Sequence, residues 1–92
     1  MKLKIKLLKP FSNAVGKKEI EVDFIGSNLK DLLRLLVDRY PKLKEEFYTK
    51  TDELSEYICM FVNDKPISAL NELETELKDG DEILFFVPVS GG

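Results

Sequence analysis

The chain has 92 residues, 43% of them hydrophobic and 34% charged, with a formal net charge of −3, which suits one compact domain with a single core and no room for a second. It has no histidine and one cysteine, so Ser-His and Cys-His nucleophile pairs and the usual nitrogen ligand are excluded and no metal site is expected. The 14 basic residues are scattered, so nucleic acid is not an expected partner, and no apolar run approaches the roughly 18 residues of a membrane span.

From Leu3 to Leu7 the pattern alternates, with Leu3, Ile5 and Leu7 on one face and Lys2, Lys4 and Lys6 on the other, the period of a half-buried strand. This start does not resemble a signal peptide, and a cytoplasmic protein is expected. A turn-like stretch around Ser12, Asn13 and Gly16 separates it from a second alternating segment, with Ile20, Val22 and Phe24 inward and Glu19, Glu21 and Asp23 outward. An antiparallel hairpin that places Lys6 opposite Glu19 also places Lys4 opposite Glu21 and Lys2 opposite Asp23, three pairs of opposite charge.

Ser27 offers a helix N-cap, and Leu29, Leu32, Leu33, Leu36 and Tyr40 recur at the spacing of one helical face. Pro41 ends this main helix, a short helical piece through Phe47 could follow, and the polar stretch 49–56 reads as a loop. Tyr57 to Val62 is an apolar, β-forming run, followed by the turn residues Asn63 and Asp64 and a brief fourth strand around Ile67. Asp79-Gly80-Asp81 has the composition of a tight turn with Gly80 at positive φ, and Ile83 to Val87 forms the last strand.

Hairpin, helix and two or three further strands predict an α+β domain over residues 1–87: a mixed four- to five-stranded sheet with one main helix packed on one face. That order suits a β-grasp. Strands three and five are apolar at both parities. If Ile83, Phe85 and Val87 face the helix, Leu84 and Phe86 face away, as do Tyr57, Cys59 and Phe61 when Ile58, Met60 and Val62 face inward. Together with Leu8 they leave apolar surface for a partner; cover by the 48–56 loop is the alternative. Cys59 cannot form an internal disulfide, and its strand position with no histidine to activate it points to a core residue.

Residues 88–92, Pro88-Val89-Ser90-Gly91-Gly92, carry no helix or strand signal. Pro88 lacks an amide donor, so pairing should stop there and the tail should project, reaching roughly 17 Å at about 3.3–3.6 Å per residue. Two glycines let the main chain enter a channel too narrow for a Cβ. The carboxylate of Gly92 is then the candidate reacting group, and because it is ionised and a poor electrophile it needs outside activation, for which ATP is the natural agent.

The segment Leu77-Lys78-Asp79-Gly80-Asp81-Glu82-Ile83-Leu84-Phe85-Phe86-Val87-Pro88-Val89-Ser90-Gly91-Gly92 resembles the C-terminal signature of the MoaD/ThiS sulfur-carrier family, to which the molybdopterin synthase small subunit belongs. The Leu-rich helix running into Tyr40-Pro41 and the strand end Phe61-Val62-Asn63 extend the likeness over nearly the whole chain. Three positions depart from the family pattern: Val87-Pro88 replaces Pro-Pro, Ser12-Asn13 replaces an Arg-Glu pair, and Leu8 stands where an aromatic is frequent.

The resemblance implies a ubiquitin-like fold, no bound cofactor and a cycle of partners. An adenylating enzyme similar to ubiquitin-activating enzymes would charge Gly92 with ATP, and a sulfurtransferase would supply sulfur to make a thiocarboxylate. The charged protein would then dock on the large subunit of molybdopterin synthase, which would hold the catalytic groups while this chain supplies the sulfur for the molybdenum or tungsten cofactor. The position matching Phe86 lies in the family's partner interface, and Leu84, Leu8 and Phe61 are expected beside it. A ubiquitin-like modifier joined through Gly92 to target lysines would share fold and tail. A carrier for thiazole synthesis would be shorter, without this 42–56 segment, and a plain interaction module would not need Gly91-Gly92.

Overall fold

Alternation of lysine with aliphatic residues dictates a strand with one wet and one dry face, and the computed structural model, which describes residues 1–88, has β1 over Lys2–Leu7 with Leu3, Ile5 and Leu7 buried. It pairs antiparallel with β2, Glu19–Asp23, in the register Lys2↔Asp23, Lys4↔Glu21, Lys6↔Glu19 that the charges predict. The lysines nevertheless do not join the carboxylates directly opposite. Lys2 Nζ lies 4.0 Å from Glu21, one diagonal away, and Lys6 Nζ turns to Glu82 at 3.3 Å.

The link between these strands is more than a turn. Phe11–Val15 forms a short helix α1, closed by Gly16 at φ 87 with its N–H on the Ser12 carbonyl. Five residues are too few to show helical periodicity, which is why the sequence reads as a turn. Burial of Phe11 justifies the helix: its ring packs on Phe47 at 5.3 Å and on Phe85 at 6.3 Å.

The main helix α2 runs Leu29–Arg39 with Leu29, Leu32, Leu33 and Leu36 buried. Its N-cap is Asn28, not Ser27. Asn28 Oδ1 accepts the Asp31 N–H at 3.0 Å, while Asp31 Oδ2 accepts the N–H groups of Ser27 at 3.0 Å and Asn28 at 3.4 Å, a closed capping box. These backbone donors, Ser27 first, hold the Asp31 carboxyl below its ordinary range. The register of the cap follows from the third residue on: counted from Asn28 it is Asp31, an acceptor, whereas counted from Ser27 it is Lys30.

Helix α3, Leu43–Phe47, follows Pro41 and buries Leu43 and Phe47. Strand β3 is Cys59–Val62, starting two residues later than the apolar run suggests, and Tyr57 stands 76% exposed. Asn63 and Asp64 turn the chain at positive φ into β4, Lys65–Pro66, which precedes Ile67; Ile67 itself opens a 3-10 turn. Gly80 takes φ 87 as expected, and β5 runs Glu82–Phe86, ending one residue before Val87.

Among the described residues five strands lie in the order β2-β1-β5-β3-β4. Strand β5 is central, parallel to β1 and antiparallel to β3, and one apolar core joins the inner face of the sheet to all three helices. This is a mixed α+β sheet with the helices on one side.

Candidate functional site

Parity along β5 decides what surrounds the chain where it leaves the sheet. Ile83 and Phe85 are fully buried on the helix side, while Leu84 and Phe86 are half-buried on the other. Beneath the exit, Phe85 sits 5.3 Å from Phe47, and both pack against Phe11. This aromatic trio anchors the end of β5. The periodicity of the chain revealed only Phe85 of the three.

On the open face β3 brings Phe61 opposite Leu84 and Cys59 opposite Phe86. The rings of Phe61 and Phe86 are 5.6 Å apart at a tilt of 38°. On the other side β1 continues the ladder past its end, the Leu8 N–H donating to the Phe85 carbonyl at 3.1 Å, and Leu8 remains 51% exposed beside Phe86. All four residues expected at an interface, Phe86, Leu84, Leu8 and Phe61, thus share one face around the chain exit.

Cys59 is corrected from core residue to half-buried member of this face. Its parity with Phe61 was the available signal. The 48–56 loop folds back on α3, with the Ser55 N–H on the Phe47 carbonyl at 2.8 Å and Leu54 against the core, and Leu84, Phe86 and Phe61 stay short of full burial. The lysine-bearing half of the face, formed by β1 and β2, is polar, and the Lys6–Glu82 pair marks the border.

Val87 is half-buried against the core and Pro88 is exposed outside any strand. The remaining residues of the expected tail, Val89, Ser90, Gly91 and Gly92, lie outside the described residues. Among the described residues no three Cys, Asp or Glu side chains converge where a metal ion could sit, and no helix is long and apolar enough to cross a membrane.

Comparison with known proteins places this geometry. The ThiS family matches residues 5–92. A protein assigned as a sulfur carrier in Archaeoglobus fulgidus is 32% identical over 79 residues, covering 86% of this chain and 90% of that protein. The solution structure of small archaeal modifier protein 1 from Methanosarcina acetivorans superposes with a TM-score of 0.85 at 38% identity, over 99% of this chain and 96% of that one. A Pyrococcus furiosus protein assigned as molybdopterin converting factor subunit 1 gives a TM-score of 0.74 at 29% identity, over 97% and 99% of the two chains.

Proposed function

This chain belongs to the ThiS family of ubiquitin-like sulfur carriers, and from that premise we propose that it carries sulfur as a thiocarboxylate on Gly92 and delivers it for molybdopterin synthesis. The observation that carries the reading is the position of β5. A strand held on both sides and anchored underneath by Phe11, Phe47 and Phe85 releases the chain at Val87-Pro88 beside an uncovered apolar face. A partner that buries Phe86, Leu84, Phe61 and Leu8 thereby meets the chain where it leaves the sheet at Val87-Pro88.

The chemistry at Gly92 runs through its carboxylate, ionised at neutral pH. One oxygen attacks the α-phosphorus of ATP in an adenylating enzyme, forming the acyl adenylate and releasing pyrophosphate. The terminal sulfur of a persulfide on a sulfurtransferase then attacks the acyl carbon, expels AMP and leaves an acyl disulfide. A thiol attacks the sulfur of that bond nearer the sulfurtransferase, releasing the thiocarboxylate and forming a disulfide with the transferase. The small protein contributes the reacting group and the docking face, and the large synthase subunit contributes the catalytic groups.

A second reading is favoured by the likeness to the Methanosarcina modifier: the same adenylate, attacked by a lysine amine of another protein, would give an isopeptide through Gly92. Pyrophosphate exchange with ATP and the host's adenylating enzyme tests the step shared by both. The full chain supports exchange and the chain lacking Gly92 does not; equal exchange by the two would contradict the assignment of Gly92.

A further inference from the structure

The sheet has two outer edges, and they differ. Strand β4 is two residues long and ends in Pro66, the kind of short, proline-stopped edge that discourages further pairing. Strand β2 is five residues long with no proline and no bulge against β1. Its even-numbered residues are spent on β1: the Leu7 N–H reaches the Lys18 carbonyl at 2.8 Å, the Phe24 N–H reaches the Met1 carbonyl at 2.7 Å, and Ile20 and Val22 stand opposite Ile5 and Leu3. By the alternation of an antiparallel ladder, the N–H and C=O groups of Glu19, Glu21 and Asp23 point the other way. Among the described residues no strand lies beyond them in the sheet.

The side chains of the same three residues are exposed and stand two residues apart on the open face. They are poorly matched from within. Among the described residues Glu21 meets Lys2 only at 4.0 Å, Lys6 is drawn off to Glu82, and neither Glu19 nor Asp23 has a cation within 4.0 Å. Pairing of β2 with β2 of a second copy, centred on Glu21, would set glutamate against glutamate and Glu19 against Asp23, which like-charge repulsion across strands opposes. The strand that does lie opposite these carboxylates, β1, carries lysine at every second position.

We propose that the outer edge of β2 binds an extended segment of another protein with lysine or arginine at alternate positions, adding it as a sixth strand. Main-chain bonds to Glu19, Glu21 and Asp23 hold the segment, and their carboxylates select its charge. Strand β1 separates this edge from β5, so the segment can be held while the face around Phe86 is occupied. The inference does not depend on the chemistry of Gly92.

The probe is a blocked heptapeptide alternating lysine with valine, titrated into the isotopically labelled protein at low salt. Saturable binding is expected at about 100 μM, with the largest shifts in residues 19–23 and hydrogen exchange of the Glu19, Glu21 and Asp23 amides slowed by about tenfold or more. A glutamate-valine heptapeptide should not bind. Glu21→Pro removes one outward N–H and no bond to β1, and should weaken binding by about tenfold, while Glu21→Gln should lose no more than about threefold. Should the proline variant not fold, the double variant Glu19→Lys, Asp23→Lys decides by rejecting the lysine peptide and accepting the glutamate one. Shifts without slowed exchange at the three amides, equal affinity in the folded proline variant, dimerisation through β2, or no saturation by roughly 1 mM would each overturn the proposal.

Discussion

Phe61 and Phe86, on adjacent strands of the uncovered face, hold their ring centroids 5.6 Å apart, next to the point where the chain leaves the sheet. Each is only half-buried, so a pair that stabilises itself still offers surface to another protein. Phe85, one residue earlier, is fully buried. Neighbouring aromatics of one strand thus differ in burial, Phe85 filling the core and Phe86 leaving surface for the docking proposed above.

If the proposed large synthase subunit docks on this face, Phe86→Ala should lower its affinity by about 2 kcal/mol, roughly 30-fold, while reducing stability by about 1 kcal/mol. Phe85→Ala should behave oppositely, costing about 3–5 kcal/mol of folding. Denaturant titration and a binding isotherm on both variants check this. A large stability loss with unchanged affinity in Phe86→Ala would remove it from the interface.

Gly26 sits where a Cβ would lie 2.7 Å and 2.9 Å from ring atoms of Phe24 and 3.0 Å from Asp31 Cβ. Because Phe24 is 1% exposed, its ring has little room to yield. Gly26→Ala should destabilise by about 1–3 kcal/mol, read as a lowered denaturation midpoint.

The capping box predicts both a magnitude and a pH dependence. Asn28→Ala should cost about 1 kcal/mol. The Asp31 carboxyl is held below its ordinary range by the Ser27 N–H first, so its folded pKa lies below the unfolded one. Its stabilising effect is then present above the unfolded carboxylate pKa and is lost as pH falls through that range toward the folded value. Thermal melts of Asp31→Asn and the parent should differ at neutral pH and converge in acid.

Cys59→Ala should still accept sulfur, because the proposed chemistry uses only the Gly92 carboxylate. Thiocarboxylate formation with the sulfurtransferase checks it. A folded variant that accepted no sulfur would make Cys59 an intermediate carrier.

Much of the architecture was legible because two periodicities were clean. The lysine and acid alternation of residues 2–6 and 19–23 predicted the β1–β2 register pair by pair, and the leucines of α2 predicted its buried face. What escaped was set by distance in sequence. Phe11 and Phe47 belong to segments too short to show a period, and only the fold brings them onto Phe85. The cap lies one residue beyond Ser27 because Ser27 and Asn28 are both good N-caps, and Asp31 decides for Asn28. Of the site, the apolar face was readable from parity along β5. Cys59 shares that parity with Phe61, although its strand position and the lack of a histidine to activate it point to the core.

Whether Gly92 carries sulfur is read by intact mass spectrometry of the protein from its own cells. A thiocarboxylate on Gly92 should give a fraction heavier by the difference between one sulfur and one oxygen atom, confined to the C-terminal fragment and absent when Gly92 is deleted. A C-terminus recovered only as the carboxylate from cells actively making the cofactor, or the same mass gain found on an internal residue, would contradict it.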